Sequence, residues 1–173
     1  MADYTADVIV IGLGPGGEDV AGTLAQAGLD VVGIEKELVG GECPYWGCVP
    51  SKMMIRAAGA LQEGRRIPAL AGTSEVHPDF SLVARRIRDE ATDDWNDRAA
   101  VDRFTGKGGR FVRGEARLLS ANRVAVGDEV YTAGRAVVIA AGTHAALPPV
   151  PGLADTPFWT NRAAIATTEV PDS

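Results

Sequence analysis

A glycine-rich loop near the N-terminus, Gly-Leu-Gly-Pro-Gly-Gly at residues 12–17, restricts the possible folds more than any other feature of the chain. It follows the β-branched apolar run Asp7–Gly12, which predicts a strand buried on both faces. It opens a predicted helix, Glu18–Ala27, after which Asp30–Glu35 repeats the buried-strand pattern. A strand, a helix and a strand within about 30 residues form a βαβ unit with parallel strands and a right-handed crossover. We therefore expect an α/β fold.

The same loop has the G-x-G-x-x-G spacing of a dinucleotide site. Gly12 and Gly14 permit a tight turn and the close approach of a pyrophosphate to the helix N-terminus, where N–H groups and the helix dipole stabilise an anion. Gly17 allows the helix to pack on the strand. Glu35 can accept hydrogen bonds from ribose hydroxyls and would repel a 2′-phosphate, which disfavours NADP. We expect FAD or NAD at this loop; a glycine-rich turn with an incidental acid is the alternative.

The chain has only two cysteines, Cys43 and Cys48. Five residues of regular helix rise about 7.5 Å, more than the Cα separation of roughly 4.4 to 6.8 Å in a disulfide, so a bridge requires a bent segment. Pro44 and Gly47 permit such a bend. Closing so short a loop stabilises by only about 2 kcal/mol, and thiols beside a helix start and Lys52 suit thiol–disulfide exchange better than cross-linking. Unbridged buried thiols and a metal pair remain alternatives.

The rest of the chain predicts two amphipathic helices and then several short strands. The helices are expected at Ser51–Arg66 and Phe80–Arg103, with a loop over Pro68–Pro78 between them. The strands are expected at Arg110–Leu119, Arg123–Val126, Glu129–Thr132 and Arg135–Ala140. They predict a small antiparallel meander that returns into a buried strand, Ala136–Ala141.

Composition limits the classes of partner. The 173 residues carry a formal net charge of −6, which argues against binding to a nucleic-acid backbone. The longest apolar stretches are far shorter than the roughly 20 residues that span a bilayer, so no membrane attachment is expected. No basic region precedes an apolar one at the N-terminus, which argues against a signal peptide and leads us to expect a cytoplasmic protein. The sequence indicates no metal site.

Residues 40–52, GGECPYWGCVPSK, resemble the signature GGxCxxxGCxPSK of the FAD-dependent pyridine nucleotide-disulfide oxidoreductases. This class I family includes dihydrolipoamide dehydrogenase, mercuric reductase and glutathione reductase. The loop at 12–17, Glu35-Lys36, the Gly114–Ala116 segment and the turn Ala140–Thr143 follow in the family's order. The resemblance implies a Rossmann-like FAD-binding domain with a parallel sheet and a small antiparallel β-meander.

The resemblance also implies a mechanism, most like that of dihydrolipoamide dehydrogenase. Electrons would pass from NAD(P)H through FAD to the Cys43–Cys48 disulfide and on to a small-molecule disulfide or dithiol. Cys48 would face the flavin, Cys43 would face the substrate, and the charge of Lys52 would favour reduced flavin. Ala116 would hold the adenine through its backbone. The implied FAD-binding residues are Gly12, Gly14, Pro15, Gly16, Gly17, Glu35, Lys36, Gly41, Lys52, Ala116 and Gly142.

By the same resemblance, residues 1–150 would form the FAD-binding domain with its redox disulfide. Residues 151–173 would begin a linker toward an NAD(P)-binding domain that this chain lacks. Family members continue with that domain and a C-terminal dimerisation domain with a His–Glu pair, which neither His77 nor His144 matches. We therefore expect the N-terminal part of a longer, homodimeric enzyme. A stand-alone, non-catalytic FAD- or nucleotide-binding module and a disulfide carrier that works without flavin are the alternatives. The sequence selects neither the substrate nor NADH over NADPH.

Four residues depart from the family pattern. Glu42 and Ala141 each replace a common Thr, and Tyr45-Trp46 replaces smaller, more polar residues between the two cysteines. Core packing is the simplest explanation of the two aromatic residues.

Overall fold

The computed structural model describes residues 2–171 and divides the chain into two compact units. Of the described residues, the first unit contains 2–43 and 96–144, and the second contains 44–95 and 145–171. The α-helices are α1 Pro15–Gln26, α2 Glu42–Trp46, α3 Cys48–Leu70, α4 Phe80–Arg86, α5 Arg98–Gly106 and α6 Asn161–Ala166. The strands are β1 Ala2–Ile11, β2 Val31–Glu35, β3 Arg110–Arg113, β4 Ala116–Leu118, β5 Arg123–Val126 and β6 Glu129–Ile139.

The first unit is built on a six-stranded sheet in the order β3-β2-β1-β6-β5-β4. Strands β3, β2, β1 and β6 are mutually parallel, whereas β5 and β4 continue the sheet antiparallel. In register, Val10 of β1 pairs with Gly33 of β2 on one side and with Val138 of β6 on the other. The predicted α/β class, with its parallel sheet and antiparallel meander, is confirmed.

Apolar residues cover both faces of this sheet. On one face Val8 and Val10 pack with α1 and with Phe104 of α5, and on the other Ile9 packs with residues of β5 and β6. Phe104 is fully buried, and a Cβ at Gly33 would lie 2.9 Å from its ring. Alternate residues of β1 point to opposite faces of the sheet. Because α1 and α5 cover one face and the meander covers the other, the apolar run in β1 has no polar face.

The second unit is helical in its first part. Helix α3 begins at Cys48, and Pro50 stands in its first turn, where a missing backbone N–H is tolerated. Asp79 caps α4 by accepting a hydrogen bond from the Ser81 N–H at 2.9 Å. A π-helical turn, Ile87–Ala91, continues α4, and a 3-10 turn, Leu153–Asp155, precedes α6. Of the predicted linker 151–173, residues 172 and 173 lie outside the described residues.

The prediction of one long helix over Phe80–Arg103 is wrong. The chain leaves the helical path after the π-helical turn and begins α5 only at Arg98. Thr92, which is buried, donates to the Arg88 carbonyl through its hydroxyl and accepts from the Trp95 N–H. Asn96 accepts from the Arg98 N–H. Side-chain hydrogen bonds of this kind compete with the helix for backbone groups, and apolar spacing does not report them.

Other predicted boundaries also shift. The predicted strand Arg110–Leu119 is divided at Gly114, because its N–H bonds to the Glu35 carbonyl and the chain then leaves β2 to pair with β5. The two strands predicted within 129–140 form the single strand β6. Ala136–Ala141 is not fully buried: Ile139 is 63% exposed, because β5 pairs only with the N-terminal part of β6.

Two helices and one strand begin earlier than predicted. α1 begins at Pro15, α3 at Cys48 and β1 at Ala2 rather than at Glu18, Ser51 and Asp7. α3 also continues to Leu70 and so contains Pro68, where the loop was predicted to begin. Proline at the first helical position lacks only an N–H that has no intrahelical partner, which explains the early start of α1.

Candidate cofactor and thiol site

Two glycines of the loop are required by the protein's own backbone. Gly12 has a φ of +90°, and a Cβ there would lie 2.7 Å from the Ala140 carbonyl carbon. A Cβ at Gly17 would lie 3.0 Å from the Gly12 carbonyl carbon and 3.1 Å from Cβ of Ala140. The turn out of β1 and the packing of α1 against Gly12 and Ala140, which follows β6, therefore both exclude a side chain, as the loop motif predicts.

The other two glycines face no such restriction. Gly14 has a φ of −67°, and a Cβ there would meet only Cα of Gly41 at 3.9 Å; a Cβ at Gly16 would meet nothing within 4 Å. The first backbone hydrogen bond of α1 runs from Glu18 N–H to Gly14 O at 2.8 Å. The N–H groups of Gly16 and Gly17 precede it, and Pro15 has none, so the helix start presents donors beside open space. This arrangement fits a diphosphate.

Gly41 lies directly against this loop. Its φ is +64°, and a Cβ there would lie 2.8 Å from Cα of Gly14. The Gly40 N–H also bonds to the Leu13 carbonyl at 2.7 Å. The start of the cysteine-containing segment is thus held against the loop backbone.

Glu35 connects the end of β2 to the same loop. Its Oε2 accepts from the Leu13 N–H and its Oε1 from the Glu37 N–H, each at 2.8 Å. Each carboxylate oxygen has a second lone pair, so both can still accept a hydrogen bond from a ligand hydroxyl.

A cleft of about 170 Å³ lies at the ends of the parallel strands. It brings together four of the predicted cofactor-binding residues, namely Gly12, Glu35, Lys36 and Ala116. Three other lining residues, Gly114, Glu115 and Ala141, belong to the two segments that the family resemblance included. Sequence reasoning missed the remaining two, Ile11 and Ile34. Lys36 and Glu115 form an ion pair at 3.5 Å, with both side chains mostly exposed. The remaining predicted residue of this region, Gly142, follows the cleft with a φ of +68°.

The two cysteines stand at the starts of successive helices. Cys43 is the second residue of α2 and is half-buried; Cys48 is the first residue of α3 and is exposed, and both are thiols. Lys52 lies one turn further along α3 and is exposed. Cys43 belongs to the first unit, whereas Cys48 and Lys52 belong to the second.

Trp46, which lies between the two cysteines in the sequence, stacks on Trp95. The Trp46 and Trp95 rings lie 5.2 Å apart, and the Arg162 guanidinium lies 5.4 Å from the Trp46 ring centre. Tyr45 is buried, in agreement with core packing. Sequence reasoning missed Trp95 and Arg162, because no local pattern indicates a partner so distant in the chain.

Within residues 2–171, no cluster of three or more His, Cys, Asp or Glu side chains could hold a metal ion. Over the same part of the chain, no helix has both the length and the apolar character needed to cross a membrane.

The family profile described as "Pyridine nucleotide-disulphide oxidoreductase" matches residues 6–172. The mercuric reductase of Acidithiobacillus ferrooxidans is 33% identical over 172 residues, which cover 95% of this chain and 31% of that protein. The dihydrolipoyl dehydrogenase of Halobacterium salinarum is 33% identical over 184 residues, which cover 96% of this chain and 36% of that protein. The chain therefore spans about a third of the length of these relatives.

A solved structure shows the same fold. It is the Cu(II) complex of the HOCl-induced flavoprotein disulfide reductase RclA from Escherichia coli, with a TM-score of 0.79 and 23% identity. The match covers 99% of this chain and 36% of that one.

Proposed function

Because this chain belongs to the pyridine nucleotide-disulphide oxidoreductase family, we propose that it supplies the FAD-binding and thiol-bearing part of a flavin-dependent enzyme. The family's members are enzymes that depend on FAD and use NAD(P)H. The observation that carries the proposal is the cleft at the strand ends, which combines the loop glycine, the acid of β2 and the Ala116 segment. The cleft offers an acceptor for a ribose and a slot for an adenine, and the N–H groups of Gly16 and Gly17, in the same loop as Gly12, would supply the donors that a diphosphate needs.

The family resemblance and the positions of the residues together support the proposed assignment of the cofactor contacts. The N–H groups of Gly16 and Gly17 would bind the diphosphate beside Gly14 and Pro15. Gly41 would pack against the backbone of that loop. Glu35 would accept the ribose hydroxyls, because its oxygens keep free lone pairs. The Lys36 side chain and the Ala116 backbone would border the adenine, and Gly142 would bring the chain back toward the isoalloxazine.

The thiol pair would carry the substrate chemistry. FAD, when bound, supplies two-electron transfer between NAD(P)H and a disulfide. Cys43 and Cys48 would form that disulfide, Cys43 exchanging with a small-molecule disulfide or dithiol and Cys48 with Lys52 facing the cofactor. We propose residues 1–150 as the FAD-binding domain and 151–173 as the start of a linker. The NAD(P)H site and a homodimer interface would lie in sequence beyond this chain.

A titration of the 173-residue chain with FAD, FMN and ADP tests the cofactor assignment. We expect FAD to bind, ADP to compete with it, and FMN to bind far more weakly, because the proposed contacts of the glycine loop, Glu35 and Ala116 are to the ADP half. Equal affinities for FAD and FMN, or no competition by ADP, would contradict the assignment. Oxidation by glutathione disulfide followed by peptide mapping tests the thiols: a Cys43–Cys48 disulfide supports the proposal, and two persistent glutathione adducts contradict it.

A further inference from the structure

The carbonyl groups at the end of α2 are bound by side chains from distant parts of the sequence. The last carbonyls of a helix have no intrahelical partner and need another donor. Here the Trp95 indole N–H donates to the Tyr45 carbonyl at 3.3 Å, and the Asn161 side-chain amide donates to the Trp46 carbonyl at 2.9 Å. Tyr45 and Trp46 are two of the four residues between the cysteines. The backbone of the cysteine loop is thus anchored at two consecutive peptide groups.

The first anchor is presented by a strained turn. Asp93, Asp94 and Trp95 have φ values of +49°, +54° and +55°, in a left-handed region that non-glycine residues rarely adopt. The buried Thr92 hydroxyl accepts from the Trp95 N–H at 3.3 Å and holds this turn to the π-helical turn before it. Three such residues in succession persist only where the surroundings determine them, and they cluster at functional sites. The turn positions the Trp95 ring so that it stacks on the Trp46 ring.

The second anchor comes from the start of α6. Asn161 is the first residue of that helix, and Arg162 beside it places its guanidinium over the Trp46 ring. Trp46 is therefore contacted by Trp95 at one point and by the start of α6 at another. Neither anchor depends on the residues that we assign to the cofactor.

We infer that Trp95 and Asn161 are positioning residues for the Cys43–Cys48 pair, an inference that rests on the proposed redox function. By fixing the peptide groups between the cysteines, they limit the conformations of the loop and raise the effective concentration of one thiol at the other. Preorganisation of this kind favours ring closure. The anchors thus make the disulfide harder to reduce.

The test is the disulfide equilibrium of the 173-residue chain in glutathione buffers. In it, the Cys43 and Cys48 thiols and one glutathione disulfide give one protein disulfide and two glutathione thiols. Two electrons pass to glutathione disulfide, and the two thiol protons end on the glutathione thiols. The variants are Asn161→Ala and Trp95→Phe, the second of which keeps an aromatic ring for the stack on Trp46 but loses the N–H donor and part of the stacking surface. Thr167→Ala is the matched control, because its hydroxyl bonds to the Glu169 carbonyl in the same C-terminal segment.

We expect each anchor variant to lower the equilibrium constant for disulfide formation by about 2- to 10-fold, as the loss of one hydrogen bond would. A tenfold fall makes the potential about 30 mV less negative. The control should not shift it. Unchanged or more negative potentials in both anchor variants, with the wild-type disulfide formed, would overturn the inference and leave the proposed function intact. If the wild-type chain forms no Cys43–Cys48 disulfide, both fail. Urea unfolding of the same variants separates a change in overall stability from a change in potential.

Discussion

Alanine should have opposite effects at two kinds of loop glycine: at Gly12, where a Cβ would clash with the backbone, and at Gly14, where it would not. At Gly12, alanine would place a methyl group against the Ala140 carbonyl at a φ of +90°. The left-handed backbone costs about 1–2 kcal/mol and overpacking about 1–3 kcal/mol, so we expect a loss of stability of about 2–5 kcal/mol. At Gly14 the φ is ordinary and the nearest atom lies at 3.9 Å, so alanine should cost less than about 1 kcal/mol, the difference between helix-capping residues.

For FAD binding, in contrast to stability, we expect the substitution at Gly14 to have a large effect. The second glycine of this motif lets the backbone approach the diphosphate. The methyl group of an alanine at position 14 would therefore separate the phosphate oxygens from the helix N–H groups. Losing one hydrogen bond to a charged group costs about 1.5–3 kcal/mol, which is about 10- to 150-fold in affinity. Gly14→Ala should therefore weaken FAD binding while leaving the chain folded.

Urea unfolding and FAD titration of the same variants measure both quantities. Gly59→Ala in α3 is the control, because a Cβ there meets nothing within 4 Å and alanine is the better helix former. It should bind FAD as the wild-type chain does. Wild-type affinity in a folded Gly14→Ala chain would refute the placement of the diphosphate at this loop.

Substitutions at three further positions, Phe104, Asp97 and Tyr131, test the first unit. Phe104→Ala should lower the free energy of unfolding by about 3–5 kcal/mol in urea titrations, because the ring is fully buried, whereas exposed Ile55→Ala should change it by less than about 0.5 kcal/mol. Asp97→Ala should cost about 1–3 kcal/mol, because Asp97 accepts from the N–H of the buried residue Val39 at 2.7 Å; Asp97→Asn, which keeps an acceptor, should cost less. Burial, and then the hydrogen bond and charge of Glu129, raise the pKa of Tyr131 to about 12 from 10.0. Its contribution to stability should be complete below pH 10 and lost as the pH rises toward 12, and Tyr131→Phe should remove that loss in unfolding measured across this range.

The features that sequence predicted are those with a local cause. The βαβ unit follows from two β-branched runs and a glycine loop close together in the chain, and the meander follows from short runs separated by turn residues. The position of Ala116 beside Glu35 is different, because it depends on the parallel pairing of β3 with β2 across a long stretch of chain. Only the family resemblance placed Ala116 there.

The features that sequence missed depend on side chains that compete with regular structure. Apolar spacing continues through Ile87, Ala91 and Trp95 as if one helix persisted, yet Thr92 bonds to the backbone on both sides and ends it. No glycine marks the left-handed turn over 93–95, so the usual sequence signal for positive φ is missing. The hydrogen bond from the Trp95 indole to the Tyr45 carbonyl joins residues 50 positions apart, and no periodic pattern in the sequence predicts it.

Glu35 shows why a binding motif and a fold can share one residue. Its carboxylate receives the N–H of Leu13, inside the glycine loop, and the N–H of Glu37, just after β2. A half-buried N–H without an acceptor is costly, so the loop needs an acceptor at this position whether or not a ribose is present. The parallel pairing of β1 with β2 brings the end of β2, with Glu35, beside the glycine loop that follows β1, so this pairing sets the position of the acid relative to the loop. The lone pairs left over on the same two oxygens are what a ligand can use, so the acid that closes the turn also borders the cleft.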